Sequence, residues 1–411
     1  MIEICAAALF VNGGRRLHLP TMPEISFENT EIAFRRMSDR ELKRAYRLFR
    51  LLSYPWLVKL GSVLTKIALA VRFPIGWVIR RNIFAHFCGG ENIPECAETT
   101  RALDRFHIGT ILDYSVEGKE SEDDLDATCE EICRTIRTAH GNVHIPFCVF
   151  KVTGVARFGL LEKVNANAEL TASEREEWNR VRERVSIICS LAASTQTPVL
   201  IDAEDSWIQD AIDRLAEEMM ARHNRESVMV YTTVQLYRHD RLEYLRQLHR
   251  TATANGHRIG VKLVRGAYME KERKRAADMG YRDPIQPTKE ASDRDFDLAL
   301  EYCVAHIADI SVCCGSHNES SSLHLASLME KAGIAPSDER VYFAQLFGMS
   351  DHISFNLASA GYRVAKYVPY GPIREVIPYL IRRAQENTSV KGQTGRELSL
   401  ISREMNRRKA G

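Results

Sequence analysis

From about residue 105 to 370, short β-rich apolar segments alternate with longer segments of helical periodicity, and the alternation runs eight times. The strand-like segments cover 107–116, 144–155, 198–205, 228–236, 258–268, 309–317, 341–349 and 363–370. Stretches such as 207–222, 240–254 and 323–331 carry the helical pattern. Eight strand–helix units predict a (β/α)8 barrel of the TIM type, because an open doubly wound sheet more often stops at about five or six strands. No sequence repeat underlies the alternation. No G-x-G-x-x-G stands at a strand-to-helix turn, which argues against a Rossmann-type dinucleotide domain.

The first hundred residues carry no strand alternation, which divides the chain into an N-terminal helical region, 1–100, and a barrel, 101–411. Between 31 and 52, Phe34, Met37, Leu42, Tyr46 and Phe49 recur at helical spacing, with Arg and Lys on the other face. Over 42–81 basic residues far outnumber acidic ones, and Trp56, Phe73 and Trp77 are interleaved. That mixture suits a helix lying in a membrane interface; it also suits a helical layer packed on the barrel with its charges in water, the more ordinary use of such a stripe. No apolar run is long enough to span a bilayer, since Lys59, Lys66, Arg72 and Pro74 interrupt 56–79. Residues 1–10 are apolar but lack a preceding basic residue and contain Glu3, so they do not read as a signal peptide. The net charge of +2 argues against a dedicated nucleic-acid binder. The ten cysteines form no Cys-x-x-Cys pair and read as reduced core residues.

A barrel places its chemistry at the C-terminal ends of its strands. Read in order, those ends present Lys151, Asp202 with Glu204, Gln235, Lys262 with Arg265, His317 with Asn318, Gln345, and Tyr367. Any one of these would be an ordinary solvated residue, but their concentration at one rim implies a polar, charged guest. Lys151, Lys262, Arg265, Arg382 and Arg383 outnumber Asp202, Glu204 and Glu386, so the guest should be anionic. A dinucleotide pyrophosphate together with a carboxylate would meet that excess. A metal is not expected: His317 has no second His or Cys at ligand spacing, and Asp202 and Glu204, though on one strand face, are ringed by cations. Arg382 and Arg383 fall in a helical stretch over 374–387, point about 100° apart, and can hold one carboxylate from two sides.

Five motifs in this order resemble those of the proline dehydrogenases, in wording closest to the eukaryotic-type branch. They are Ile201-Asp202-Ala203-Glu204, Lys262 to Tyr268 (KLVRGAY), Gly315 to Asn318 (GSHN), Lys366 to Gly371 (KYVPYG), and Tyr379 to Arg383 (YLIRR) followed by Glu386 and Asn387. The resemblance covers almost everything from Lys151 to about residue 390. It implies an FAD enzyme on a (β/α)8 barrel, with the final helix over the barrel mouth, that oxidises L-proline to Δ1-pyrroline-5-carboxylate. Hydride would leave the ring carbon next to nitrogen for flavin N5, and electrons would pass to a membrane quinone. The location implied is the cytoplasm or a peripheral position on the inner face of a membrane, the mitochondrial inner membrane in a eukaryote.

The resemblance also implies roles. Lys151, Arg382 and Arg383 would hold the substrate carboxylate. Tyr367 would pack on the substrate ring, with Leu263, Tyr268 and Tyr379 completing an apolar box. Asp202, Lys262, Tyr268 and Tyr367 would form the catalytic group. Ala203, Gln235, Lys262, Arg265, Gly266, Ala267, Ser316, His317 and Glu386 would contact the flavin, Arg265 near N5 and Glu386 at an adenosine or ribose hydroxyl. Lys262 departs from the arginine usual in bacterial members, keeping the charge but losing the fork and leaving its partner open. A related branch oxidises trans-4-hydroxy-L-proline and has serine at the position of Tyr367; tyrosine here favours proline, with hydroxyproline the alternative substrate. Two rival classes stand beside this reading: a barrel lyase with Lys151 or Lys262 as Schiff base, and a non-catalytic membrane-associated binding protein.

Overall fold

The computed structural model describes residues 25–54, 56–58, 60–61, 79–116, 118–389 and 393–410; the side chains of 81, 82, 384–389, 393 and 394 lie outside that description. Eight parallel strands close into a barrel in sequence order. They are β1 (Ile108–Tyr114), β2 (Phe147–Lys151), β3 (Val199–Asp202), β4 (Val230–Gln235), β5 (Ile259–Val264), β6 (Ile310–Gly315), β7 (Val341–Leu346) and β8 (Val364–Tyr370). Closure is made by β1 on β8, in register from Ile108↔Val364 to Tyr114↔Tyr370. Each strand lies within the range expected from sequence, and all but β8 stop short of its C-terminal limit. The surplus residues are rim loops, such as the 3-10 turn Val152–Gly154 after β2.

Alternation along the strands sorts side chains into two cores. One face packs on the surrounding helices, with Ile259, Val261 and Leu263 of β5 among Phe296, Leu300 and Leu325. The other face fills the barrel with Ile111, Phe147, Val149, Leu200, Tyr231, Cys313, Ala344, Ala365 and Tyr367. At the floor, Phe147 meets Tyr231 and Tyr342 edge-on, at centroid distances of 5.3 and 4.8 Å. Gly260 makes that floor possible, because a Cβ there would lie 2.5 Å from the Tyr231 ring. Large rings fill the floor, and the polar side chains of Asp202 and Lys262 stand at the opposite end.

Outside the barrel, helix Asp39–Leu52 begins at a capping box between Ser38 and Glu41. Its buried Leu42 and Phe49, with Phe34 and Met37, pack on Leu400 and Ile401 of the last helix, Gln393–Ala410. Arg408 fastens the pair by donating to the carbonyls of Met37 and Phe34 at 2.8 and 2.9 Å. Over 31–52 the apolar stripe is therefore a packed layer. The basic, Phe73- and Trp77-bearing stretch 62–78 lies outside the described residues. The nine described cysteines are free and buried.

Candidate active site

Side-chain parity selects which rim residues share the interior. Lys151 and Asp202 are register partners at the tops of β2 and β3. Lys262 and Tyr367 point into the same space from β5 and β8. The Lys262 ammonium is ion-paired with Asp202 Oδ1 and donates to the Tyr367 hydroxyl at 2.7 Å. That hydroxyl in turn donates to Asp202 Oδ1 at 2.8 Å. The group is well enclosed: the side chains of Lys262 and Asp202 are 7% and 14% exposed. Burial first, and Asp202 second, push the Tyr367 phenol well above its ordinary range, so it stays neutral. The partner left open for Lys262 is thus Asp202 with Tyr367.

Two expectations fail on parity. Leu263 neighbours Lys262 and therefore faces the other way, fully buried in the barrel–helix core and not in a substrate box. The leucine beside Tyr367 is Leu346, its register partner at the top of β7. Gln345, one residue earlier, turns outward, donating to Ser316 O at 3.1 Å and accepting from Ser354 at 2.7 Å. Nor do Asp202 and Glu204 share a face: β3 ends at Asp202, and the Glu204 carboxylate accepts from Thr153 N and Oγ1 at 3.0 and 2.5 Å. Among the described residues no group of His, Cys, Asp and Glu is arranged to hold a metal.

The Gln235 amide presents a buried acceptor. Its Nε2 donates to Glu204 O at 3.0 Å, which fixes the amide's orientation and leaves Oε1 buried without a hydrogen-bond partner among the described residues. A buried acceptor without a donor costs about 1–3 kcal/mol, and the imide N–H of a flavin ring is a donor of the right kind. Arg265 is held against the outer rim, donating to Asp293 at 2.6 Å, Ser316 at 3.0 Å and Ser321 at 2.9 Å, with its guanidinium 4.3 Å over the Phe296 ring. Gly266 has φ 139°, and a Cβ there would strike the Tyr237 ring at 2.4 Å, so glycine is demanded by the protein itself. Ala203 follows β3 directly, and Ala267 is exposed beside Gly266. His317 Nδ1 lies 2.9 Å from Ser350 Oγ. Burial and the charges of Lys366 and Arg383 push its imidazole down to about 3, so it is neutral.

Tyr268 caps helix Met269–Met279, which follows β5 and is tethered across the rim to the β3 loop. Its buried Glu272 accepts from Ser206 N and Oγ at 2.7 and 2.5 Å, and Lys271 pairs with Asp205 at 2.7 Å. These tethers carried no signal in sequence. Helix Ile373–Ser389 buries Val376, Tyr379 and Leu380 in a satellite cluster with Leu48, Phe84 and Phe87, and Leu346 packs against that cluster and against the one containing Tyr367. Leu346 therefore joins this helix to the barrel interior. Arg382 is half-buried, and Arg383 is buried with its guanidinium 5.1 Å from the Tyr379 ring centroid. The side chains of Glu386 and Asn387 lie outside the described residues.

A family profile for proline dehydrogenase matches residues 96–396. The chain belongs to the proline dehydrogenase family. Human proline dehydrogenase 1, mitochondrial, is 41% identical over 256 residues, 62% of this chain and 42% of that protein. The hydroxyproline dehydrogenase of Xenopus laevis is 30% identical over 416 residues, 91% of this chain and 88% of that protein. Among solved structures, proline utilization A from Bdellovibrio bacteriovorus, inactivated by N-propargylglycine, superposes with a TM-score of 0.70 at 18% identity. That match covers 93% of this chain and 42% of the other, and it speaks to the fold alone.

Proposed function

We propose that this family member oxidises L-proline to Δ1-pyrroline-5-carboxylate with FAD as its cofactor. The observation that carries the reading is the enclosed Asp202–Lys262–Tyr367 group, with Lys151 in register beside it. Bound FAD supplies the hydride acceptor. The protein supplies the rest. Lys151, Arg382 and Arg383 hold the substrate carboxylate by charge-assisted contacts. Asp202 offsets the cations gathered around one small anion, which would otherwise repel one another. Tyr367 presents its ring to the substrate ring while its hydroxyl is held by Lys262 and Asp202. Leu346 continues that apolar wall, and Gln235 Oε1 receives a donor from the cofactor. Arg265, Gly266, Ala267, Ser316, His317, Ala203 and Glu386 form the remaining cofactor contacts, and Tyr268 closes the β5 side.

The Lys262 ammonium is already committed to Asp202 and Tyr367, which argues against Lys262 as a Schiff-base lysine. The similarity to a hydroxyproline dehydrogenase favours a second substrate, trans-4-hydroxy-L-proline, whereas the bulk of Tyr367 favours proline. The deciding experiment is spectral. Purified protein supplied with FAD should be yellow and should bleach with L-proline under anaerobic conditions. No flavin spectrum after FAD is supplied overturns the reading.

Electrons leave for a quinone, and a membrane surface is where quinones are met. Among the described residues no helix is long and apolar enough to cross a membrane. Leu51, Tyr54, Trp56 and Leu60 are exposed within ten residues of one another, next to the exposed Arg47 and Arg50. Apolar side chains flanked by cations suit peripheral contact with an anionic lipid surface.

A further inference from the structure

His317 stands at the rim just beyond β6, and its Nδ1 contacts the hydroxyl of Ser350. Ser350 is held in the left-handed region at φ 50°, ψ 42°, a conformation that glycine adopts most cheaply. Serine stands there instead and uses every polar group it has. Its N–H donates to Glu397 Oε1 at 2.5 Å, its carbonyl accepts from Ile353 N and Ser354 N at 3.0 and 3.1 Å, and its hydroxyl meets the imidazole. Glu397 is buried on helix Gln393–Ala410, beyond the helix that carries Arg382 and Arg383. Beside it, Arg396 donates to Glu319 at 2.8 Å, and His352 shares that carboxylate at 3.0 Å. The last helix thus reaches the His317–Glu319 segment at two points, and one of them ends on a rim imidazole.

We propose that Glu397 is a positioning residue for the cofactor site: it pins the strained Ser350 turn, whose hydroxyl sets the orientation of the His317 ring. The inference rests on the reading of His317 as a cofactor contact. Glu397 also lies 3.9 Å from His352 Nδ1, but the hydrogen bond it accepts is from the Ser350 N–H. A buried carboxylate aimed at a backbone N–H, and a serine kept where glycine is cheaper, are both costly choices. They make sense together when the hydroxyl–imidazole contact is what the turn exists to hold.

The test is a double-mutant cycle on the intact protein, read as FAD affinity by flavin fluorescence and as the His317 ring 15N shifts by NMR. Ser350→Gly keeps the turn and its N–H but removes the hydroxyl; it should weaken FAD binding about threefold to tenfold and move the His317 signals. Glu397→Ala should do the same. Glu397→Gln, whose amide oxygen still accepts, should restore most of the affinity. On a His317→Ala background, Ser350→Gly should have no further effect. Additive losses, or His317 signals unmoved by both variants, overturn the relay. If His317→Ala itself leaves FAD affinity unchanged, the assignment of His317 to the cofactor site fails first and takes the relay with it.

Discussion

Replacing Tyr367 by phenylalanine removes one oxygen and keeps the ring; replacing it by serine removes the ring. The two changes separate positioning from substrate choice. The Tyr367 hydroxyl accepts from Lys262 at 2.7 Å and donates to Asp202 at 2.8 Å. Each bond to a charged group is worth roughly 1.5–3 kcal/mol. Lys262 and Asp202 remain in direct contact without it, so neither charge is stranded, and the net loss should be near that of one bond. Fully expressed in the transition state, this is about a 10–100-fold fall in kcat/KM. Because the loss acts through Asp202 and Lys262, it should fall on L-proline and trans-4-hydroxy-L-proline alike, leaving their ratio within about threefold. Tyr367→Ser empties a site that is only 8% exposed, at a stability cost of about 3–5 kcal/mol, and makes room for a ring hydroxyl. The ratio of specificity constants should then move toward hydroxyproline by about 10–100-fold. Steady-state kinetics of both variants with both substrates, beside a urea titration, decide the matter. If phenylalanine moves the ratio as far as serine does, the hydroxyl is the discriminator and the ring-volume argument is wrong.

Three further outcomes follow from the same geometry. Arg382→Met and Arg383→Met should each raise KM for proline about 30–300-fold with the flavin spectrum intact; flavin loss from Arg382→Met would assign the helix to the cofactor. Leu263→Ala should cost about 2–5 kcal/mol in urea with KM unchanged, whereas Leu346→Ala should raise KM about tenfold, and the reverse pattern would invert the two faces. Burial holds His86 at about 4 and His317 at about 3, both below the ordinary imidazole value. The unfolded chain therefore takes up protons below about pH 6.5 that the fold refuses, so stability falls as pH drops from 6.5 toward 4, by roughly 2 kcal/mol per histidine at pH 5. The urea midpoint at pH 5 against pH 7.5 measures the fall, and a His86→Gln variant that keeps the full slope would remove His86 as a cause.

The strands were legible because each is a compact run of β-branched and aromatic residues bounded by turn signals. The rim loops were folded into those runs: Val152 to Val155 and Arg265 to Tyr268 are apolar enough to extend a strand, yet a 3-10 turn and the φ of Gly266 end it earlier. The polar rim was legible because a barrel confines chemistry to strand ends. The contacts inside it were not, since Lys262 meets Asp202 across 60 residues and Tyr367 across 105. Only closure of the barrel brings them together. Glu397 gave no signal at all, being an acidic residue on an amphipathic helix until burial gives it a partner.

The error at Leu263 differs in kind, because the sequence held enough to avoid it. Successive residues of a strand face opposite ways, so Lys262 and Leu263 could not both line one pocket. Choosing Leu346 instead required the β7–β8 register, which places it opposite Tyr367 and which no local pattern encodes. Parity can be applied to a single strand, whereas register is a property of two. A motif of consecutive residues such as KLVRGAY is therefore better divided by parity before roles are shared out. Half of its strand residues hold the barrel to its helices; the other half are the ones available for chemistry.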